Sequence, residues 1–128
     1  MAAAGTAART AARAATLYGF KSCDMVRKAM KWLDEHHVSY EFVDYRRVTL
    51  DPKVVDDWFA RAGWENVFNR NSTTFKELPE SEKTGITPAK AKRMILAETN
   101  LIKRPLLDTG TDILLGFKAD SWSKALGK

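Results

Sequence analysis

Cys23 is the only cysteine in the 128-residue chain, and the residues around it suit a reactive thiol. In YGFKSCDMVRKAMKWL, Tyr18 to Leu33, a short apolar run ends just before the cysteine and an amphipathic pattern starts just after it. That order places the sulfur at the mouth of a helix, where backbone N–H groups lack partners and the dipole favours a negative thiolate. A lone intracellular cysteine is more often a small buried hydrophobe. Here Lys21 and Arg27 offer positive charge, Arg27 at i+4 on the same helix side, and Ser22 and Asp24 are cap-type neighbours. Asp24 opposes the cations next to the sulfur, although a carboxylate also suits a first helical turn. A second chemical candidate is Arg104, directly before Pro105, because a planar guanidinium donates two parallel hydrogen bonds to a carboxylate or an oxyanion.

The elements that must position these groups are legible in the hydrophobic pattern. ATLYGF is short, apolar and interrupted by Gly19, as a buried strand would be, and Val26, Ala29, Met30 and Leu33 then mark one helix face. SYEFVDY, Ser39 to Tyr45, alternates and is rich in aromatic and β-branched residues, so the opening unit reads as βαβ with parallel strands. Asp51 followed by Pro52 is a cap-then-proline start for a helix carrying Val54, Val55, Trp58, Phe59 and Ala62, stopped by Gly63. From Trp64 to Asn100 the pattern is less regular and predicts one or two short helices. A further helix is capped by Thr87 before Pro88 and carries Ala91, Met94 and Ile95. LIKRPLLDTG and TDILLGF form a β-hairpin turning around Asp108, Gly110 and Asp112, and a last helix packs Trp122 and Leu126.

Composition bounds the functions available. The length fits one domain with a real core, over residues 16–128, with a helical insertion at about 51–100. Residues 1–15, Ala/Arg-rich and without an acidic or large apolar side chain, are expected to be a disordered tail. One cysteine excludes an internal disulfide. His36 and His37 are adjacent, so a helix would point them about 100° apart, and no metal site is expected. No apolar run approaches the roughly 18 residues of a membrane span, which points to a cytoplasmic protein without membrane contact. The net charge of +5 is mild, and no basic stripe with interleaved aromatics suggests nucleic acid.

Four stretches, YGFKSCDMVRKAMKWL, YEFVDYR, VFNRNSTTFKEL and LIKRPLL, give residues 17–126 a resemblance to the ArsC-related family. That family includes glutaredoxin-coupled arsenate reductases, the Spx regulators and the YffB-type proteins, and the YffB-type branch fits best. The resemblance implies an α/β, thioredoxin-like fold, with a helical lobe inserted between the βαβ unit and the C-terminal hairpin plus helix. It also implies a nucleophilic Cys23, a cis Pro105 facing it, and Arg104 as a binder of an oxyanion. Arsenate reductases carry two further arginines, which align near Asn69 and Gly116. Here the nearest cations are Arg70, one position late, and Lys118. Arsenate reduction is therefore ranked below a single-thiol oxidoreductase. The Spx-type Cys-x-x-Cys switch is absent because position 26 is valine, which leaves an Spx-like protein-binding regulator without a switch as an alternative. The leading expectation is a monomeric enzyme with no bound cofactor and glutathione as thiol co-substrate, glutaredoxin being a second candidate partner. The two carboxylates of glutathione would engage Arg104, Arg27, Lys21 and Arg70.

Overall fold

A computed structural model describes residues 15–128. The expected disordered tail lies outside the described residues except for Ala15, which already belongs to the first strand. Strand β1 (Ala15–Gly19) leads into helix α1 (Asp24–Glu35) and strand β2 (Tyr40–Asp44), and β1 and β2 pair in parallel, with Leu17 opposite Phe42. Strands β3 (Leu106–Asp108) and β4 (Ile113–Leu115) form the antiparallel hairpin, and β3 runs antiparallel to β1. The sheet order is β2-β1-β3-β4.

Alternation along these strands sorts the core into two layers, because successive side chains leave a strand on opposite faces. Leu17 opposes Leu107, and both belong to the cluster of Val26, Ala29, Trp32 and Leu33 from α1 and Trp122 from the last helix, α7 (Ala119–Leu126). Tyr18 opposes Leu106 and faces the other layer, where its ring meets Trp58 edge-on at 4.9 Å. Fully burying a large apolar side chain contributes about 1.5–3 kcal/mol, so both faces of the sheet must be covered.

The second cover is the inserted helical lobe. Helix α2 (Pro52–Ala62) is capped by Asp51, whose carboxylate accepts from the Lys53 N–H at 2.9 Å, and it ends at Gly63, whose φ of 88° disfavours other residues. The irregular middle holds three one-turn helices, one more than the pattern predicts: α3 (Trp64–Val67), α4 (Thr73–Lys76) and α5 (Glu80–Lys83). Each carries too few apolar residues for a period to show. Helix α6 (Pro88–Ala97) is capped by Thr87 as expected and is followed by a 3-10 turn, Thr99–Leu101. Arg61 ties the lobe to the sheet by donating to Asp57 on α2 and to Asp108 on β3, both at 2.6 Å. No helix among the described residues is long and apolar enough to cross a membrane.

Candidate active site

Cys23 is the N-cap of α1. Its N–H donates to the Phe20 carbonyl at 3.1 Å and its own carbonyl accepts from the Arg27 N–H at 3.0 Å, so the turn from β1 into α1 is closed on both sides of the thiol. No side chain caps this helix start, which leaves its first N–H groups to the sulfur or to a ligand. The half-buried cysteine packs against both core layers. Gly19 sets how closely α1 can approach: a Cβ there would stand 2.7 Å from Val26 Cγ2.

The other residues singled out in the sequence divide into those at this turn and one elsewhere. Register carries the start of β3 back to the C-terminal end of β1, since Leu106 pairs with Tyr18, and the Arg104–Pro105 peptide just before it is cis. The Arg104 guanidinium lies over the Phe20 ring, 4.5 Å from its centre, and Nη1 donates to the Asn100 carbonyl at 3.2 Å. Pro105 is buried beside it in sequence. Arg27 is ion-paired with Asp24 and also donates to the Lys21 carbonyl at 3.1 Å, so its charge is matched locally. Lys21 reaches toward β2, with Nζ 5.8 Å from the centre of the Phe42 ring. Arg70 stands apart, 5.8 Å from the Trp64 ring centre, in a cleft that it shares with Asn66, Asn69, Lys103 and Ile113.

Two residues near the thiol escape sequence reasoning. Arg46, just beyond β2, places its guanidinium 3.8 Å from the centre of the same Phe20 ring and donates to the Ser22 hydroxyl at 3.2 Å. Tyr45 is only 2 % exposed and meets Phe20 edge-on at 6.0 Å; its hydroxyl and Arg104 Nε are both buried, and the two side chains interact. Burial pushes the Tyr45 phenol up to about 12, against the opposing pull of Arg104, so it stays a neutral donor throughout the physiological range. The signal for both was present in YEFVDYR, but only the parallel pairing of β1 with β2 brings the end of that segment to the cysteine loop. Among the described residues no cluster of His, Cys, Asp or Glu is suited to a metal ion.

Chemically, the arrangement offers a half-buried thiol at an uncapped helix start, with two guanidiniums on the ring of Phe20, three residues before it. Comparison with known proteins gives a consistent setting. The ArsC family matches residues 18–125. A Haemophilus influenzae protein is 34% identical over 110 residues, covering 86% of this chain and 96% of that one. The global transcriptional regulator Spx 1 of Bacillus cereus is 24% identical over 110 residues, covering 82% and 81%. Among solved structures, a YffB protein superposes with a TM-score of 0.83 at 46% identity, covering 88% of this chain and 98% of that chain. An ArsC-related protein from Brucella melitensis does so with a TM-score of 0.72 at 33% identity, covering 93% and 99%. A glutaredoxin of Archaeoglobus fulgidus, at a TM-score of 0.50 and 11% identity over 89% and 86%, shares the thioredoxin-like fold alone.

Proposed function

The chain belongs to the ArsC family, and we propose that within it the protein is a single-cysteine thiol oxidoreductase that uses glutathione. The observation that carries this reading is the placement of Cys23 at the uncapped start of α1, on a turn whose Phe20 lies under the Arg104 guanidinium. The Cys23 thiolate attacks the glutathione sulfur of a mixed disulfide; the S–S bond breaks, the other thiol leaves as a thiolate, and Cys23 becomes S-glutathionylated. A second glutathione thiolate then attacks the glutathionyl sulfur of that adduct, releasing glutathione disulfide and regenerating Cys23. Two glutathione molecules thus supply the sulfurs of the disulfide product, and the substrate thiol takes up the electron pair. With no second cysteine in the chain, resolution falls to the external thiol, and glutaredoxin is a partner of suitable chemistry for the same step.

Turnover of the mixed disulfide of glutathione and 2-mercaptoethanol, coupled to reduction of the glutathione disulfide formed, tests the reading. Activity that disappears in Cys23→Ser supports it; absence of turnover in the unaltered protein refutes it. The relationship to Spx supports a second reading, a protein-binding regulator, for which the same assay would be silent while binding to an acidic protein surface persisted in Cys23→Ser.

A further inference from the structure

We propose that Arg46 is the second anion-binding residue of the Cys23 site, acting with Arg104 across Phe20, and that it takes a carboxylate of the molecule that reacts at the thiol. This rests on the reading of Cys23 as a reactive thiol and adds a specificity for carboxylate-bearing reagents.

Three other arginines already have carboxylate partners. Arg27 faces Asp24, Arg47 faces Asp44 at 3.6 Å, and Arg61 is held between Asp57 and Asp108. Arg46 and Arg104 differ, because the contacts of their guanidiniums are neutral groups: the Ser22 hydroxyl, the Asn100 carbonyl and the Phe20 ring. A guanidinium stacked on an aromatic ring keeps its N–H edge in plane and open to a bidentate acceptor. Both arginines use the ring whose backbone carbonyl holds the Cys23 N–H, and Arg46 also holds Ser22, the residue before the thiol.

Two further features fit a ligand at this place. Tyr45, adjacent to Arg46 in sequence and in ring contact with Phe20, has a buried hydroxyl beside Arg104 that remains a neutral donor. An open cleft of about 960 Å³ reaches the cysteine loop at Ser22; its lining carries the cations Lys21, Arg46 and Arg47 and the carboxylates Glu41 and Asp44, of which Asp44 is paired with Arg47. Arg70 lines a different cleft, against Trp64. The second cation of this site is therefore Arg46, contributed by the residues just beyond β2.

The test compares alkylation of Cys23 by iodoacetate, which carries a carboxylate, with alkylation by the neutral iodoacetamide. Because both reagents report the same thiolate, the ratio of their rate constants isolates recognition of the carboxylate. Arg46→Ala should lower the ratio about fivefold, the scale of one charge-assisted hydrogen bond at a partly exposed site. Arg46→Lys should fall between, since it keeps the charge and loses the fork. Arg47→Ala, with the same loss of net charge, and Arg70→Ala should stay within about twofold of the unaltered protein. A ratio unchanged in Arg46→Ala, or lowered equally in Arg47→Ala, overturns the assignment, as does a thiol that neither reagent reaches. The iodoacetamide rate in each variant checks that the loop is intact. A shifted ratio combined with no turnover of the glutathione mixed disulfide would leave Arg46 assigned and remove glutathione as the co-substrate.

Discussion

Arg104 lies over Phe20, its guanidinium carbon 4.5 Å from the ring centre, while the carbonyl of that same phenylalanine accepts the N–H of Cys23. The cation and the thiol are thus held by one residue, and movement of the loop would move both. Arg104 comes from a segment anchored by the bridge between Ile102 and Phe68, whereas Arg70 leads out into a turn.

Arg104→Ala is expected to lower kcat/KM for the glutathione mixed disulfide about tenfold to a hundredfold, the rate equivalent of a charge-assisted hydrogen bond worth about 1.5–3 kcal/mol. Arg70→Ala should change it by no more than about threefold. Steady-state kinetics on the two variants decide the ranking, and equal losses would contradict it.

Arsenate should be a poor substrate. A thiolate attacking a dianion needs fixed positive charge to offset the repulsion, and of the three arginines that the resemblance to arsenate reductases implies, only Arg104 is expected in place. Two missing contacts at about 1.5–3 kcal/mol each amount to roughly two to four powers of ten in rate. Arsenate-dependent turnover with glutathione and glutaredoxin supplied should therefore stay at trace level. Robust turnover abolished by Cys23→Ser would show that other cations, Arg46 included, rebuild the pocket.

Stability should fall at high pH because of Tyr45. Its folded-state value of about 12 lies above the ordinary phenol value of 10.0, so the native state retains the proton after the unfolded chain has released it. The contribution is fully present below pH 10 and is lost as pH rises through about 12, a change on the order of 2–3 kcal/mol. Tyr18, also raised by burial and by Asp108, adds in the same direction. Urea unfolding at pH 8, 10 and 11 should show the decline, and Tyr45→Phe should flatten it. At neutral pH that variant should lose no more than about 1–1.5 kcal/mol, the scale of the single polar contact its hydroxyl makes with Arg104.

Gly19→Ala should destabilise the protein by about 1–3 kcal/mol, since the new methyl would meet the fully buried Val26 at 2.7 Å and the packed helix has little room to retreat. The same push acts on the start of α1, so Cys23 alkylation should change as well. A thermal melt with an unshifted midpoint would show that the helix gives way freely.

The sequence carried the regular parts of this fold well, because periodicity of 2 and of 3.6 survives wherever a strand or helix buries one face. Val26, Ala29 and Leu33 line the buried face of α1, and the caps at Asp51 and Thr87 are where proline and a short polar side chain place them. The lobe between Trp64 and Lys83 was less legible, since single helical turns held by Val67, Phe68 and Phe75 have no period. Cys23 and Arg104 could be picked out by residue type and neighbours. The position of Arg46 could not, since it follows from parallel strand pairing across 24 intervening residues, from Gly19 opposite Asp44. Arg70 lines the cleft beside Trp64, in a stretch whose lack of period gave no sign of where its side chain would lie.

The division of the core by the sheet also gives the molecule two separate optical reporters. Trp58 and Trp64 belong to the helical-lobe layer, while Trp32 and Trp122, 6.2 Å apart with perpendicular rings, belong to the layer under α1 and α7. Replacing one pair with phenylalanine would leave intrinsic emission that watches a single face of the sheet, and the complementary pair of variants would watch the other. Since Cys23 touches both layers, a glutathionyl adduct on its sulfur has a path to either signal, and the channel that responds would tell which half of the core feels the chemistry first.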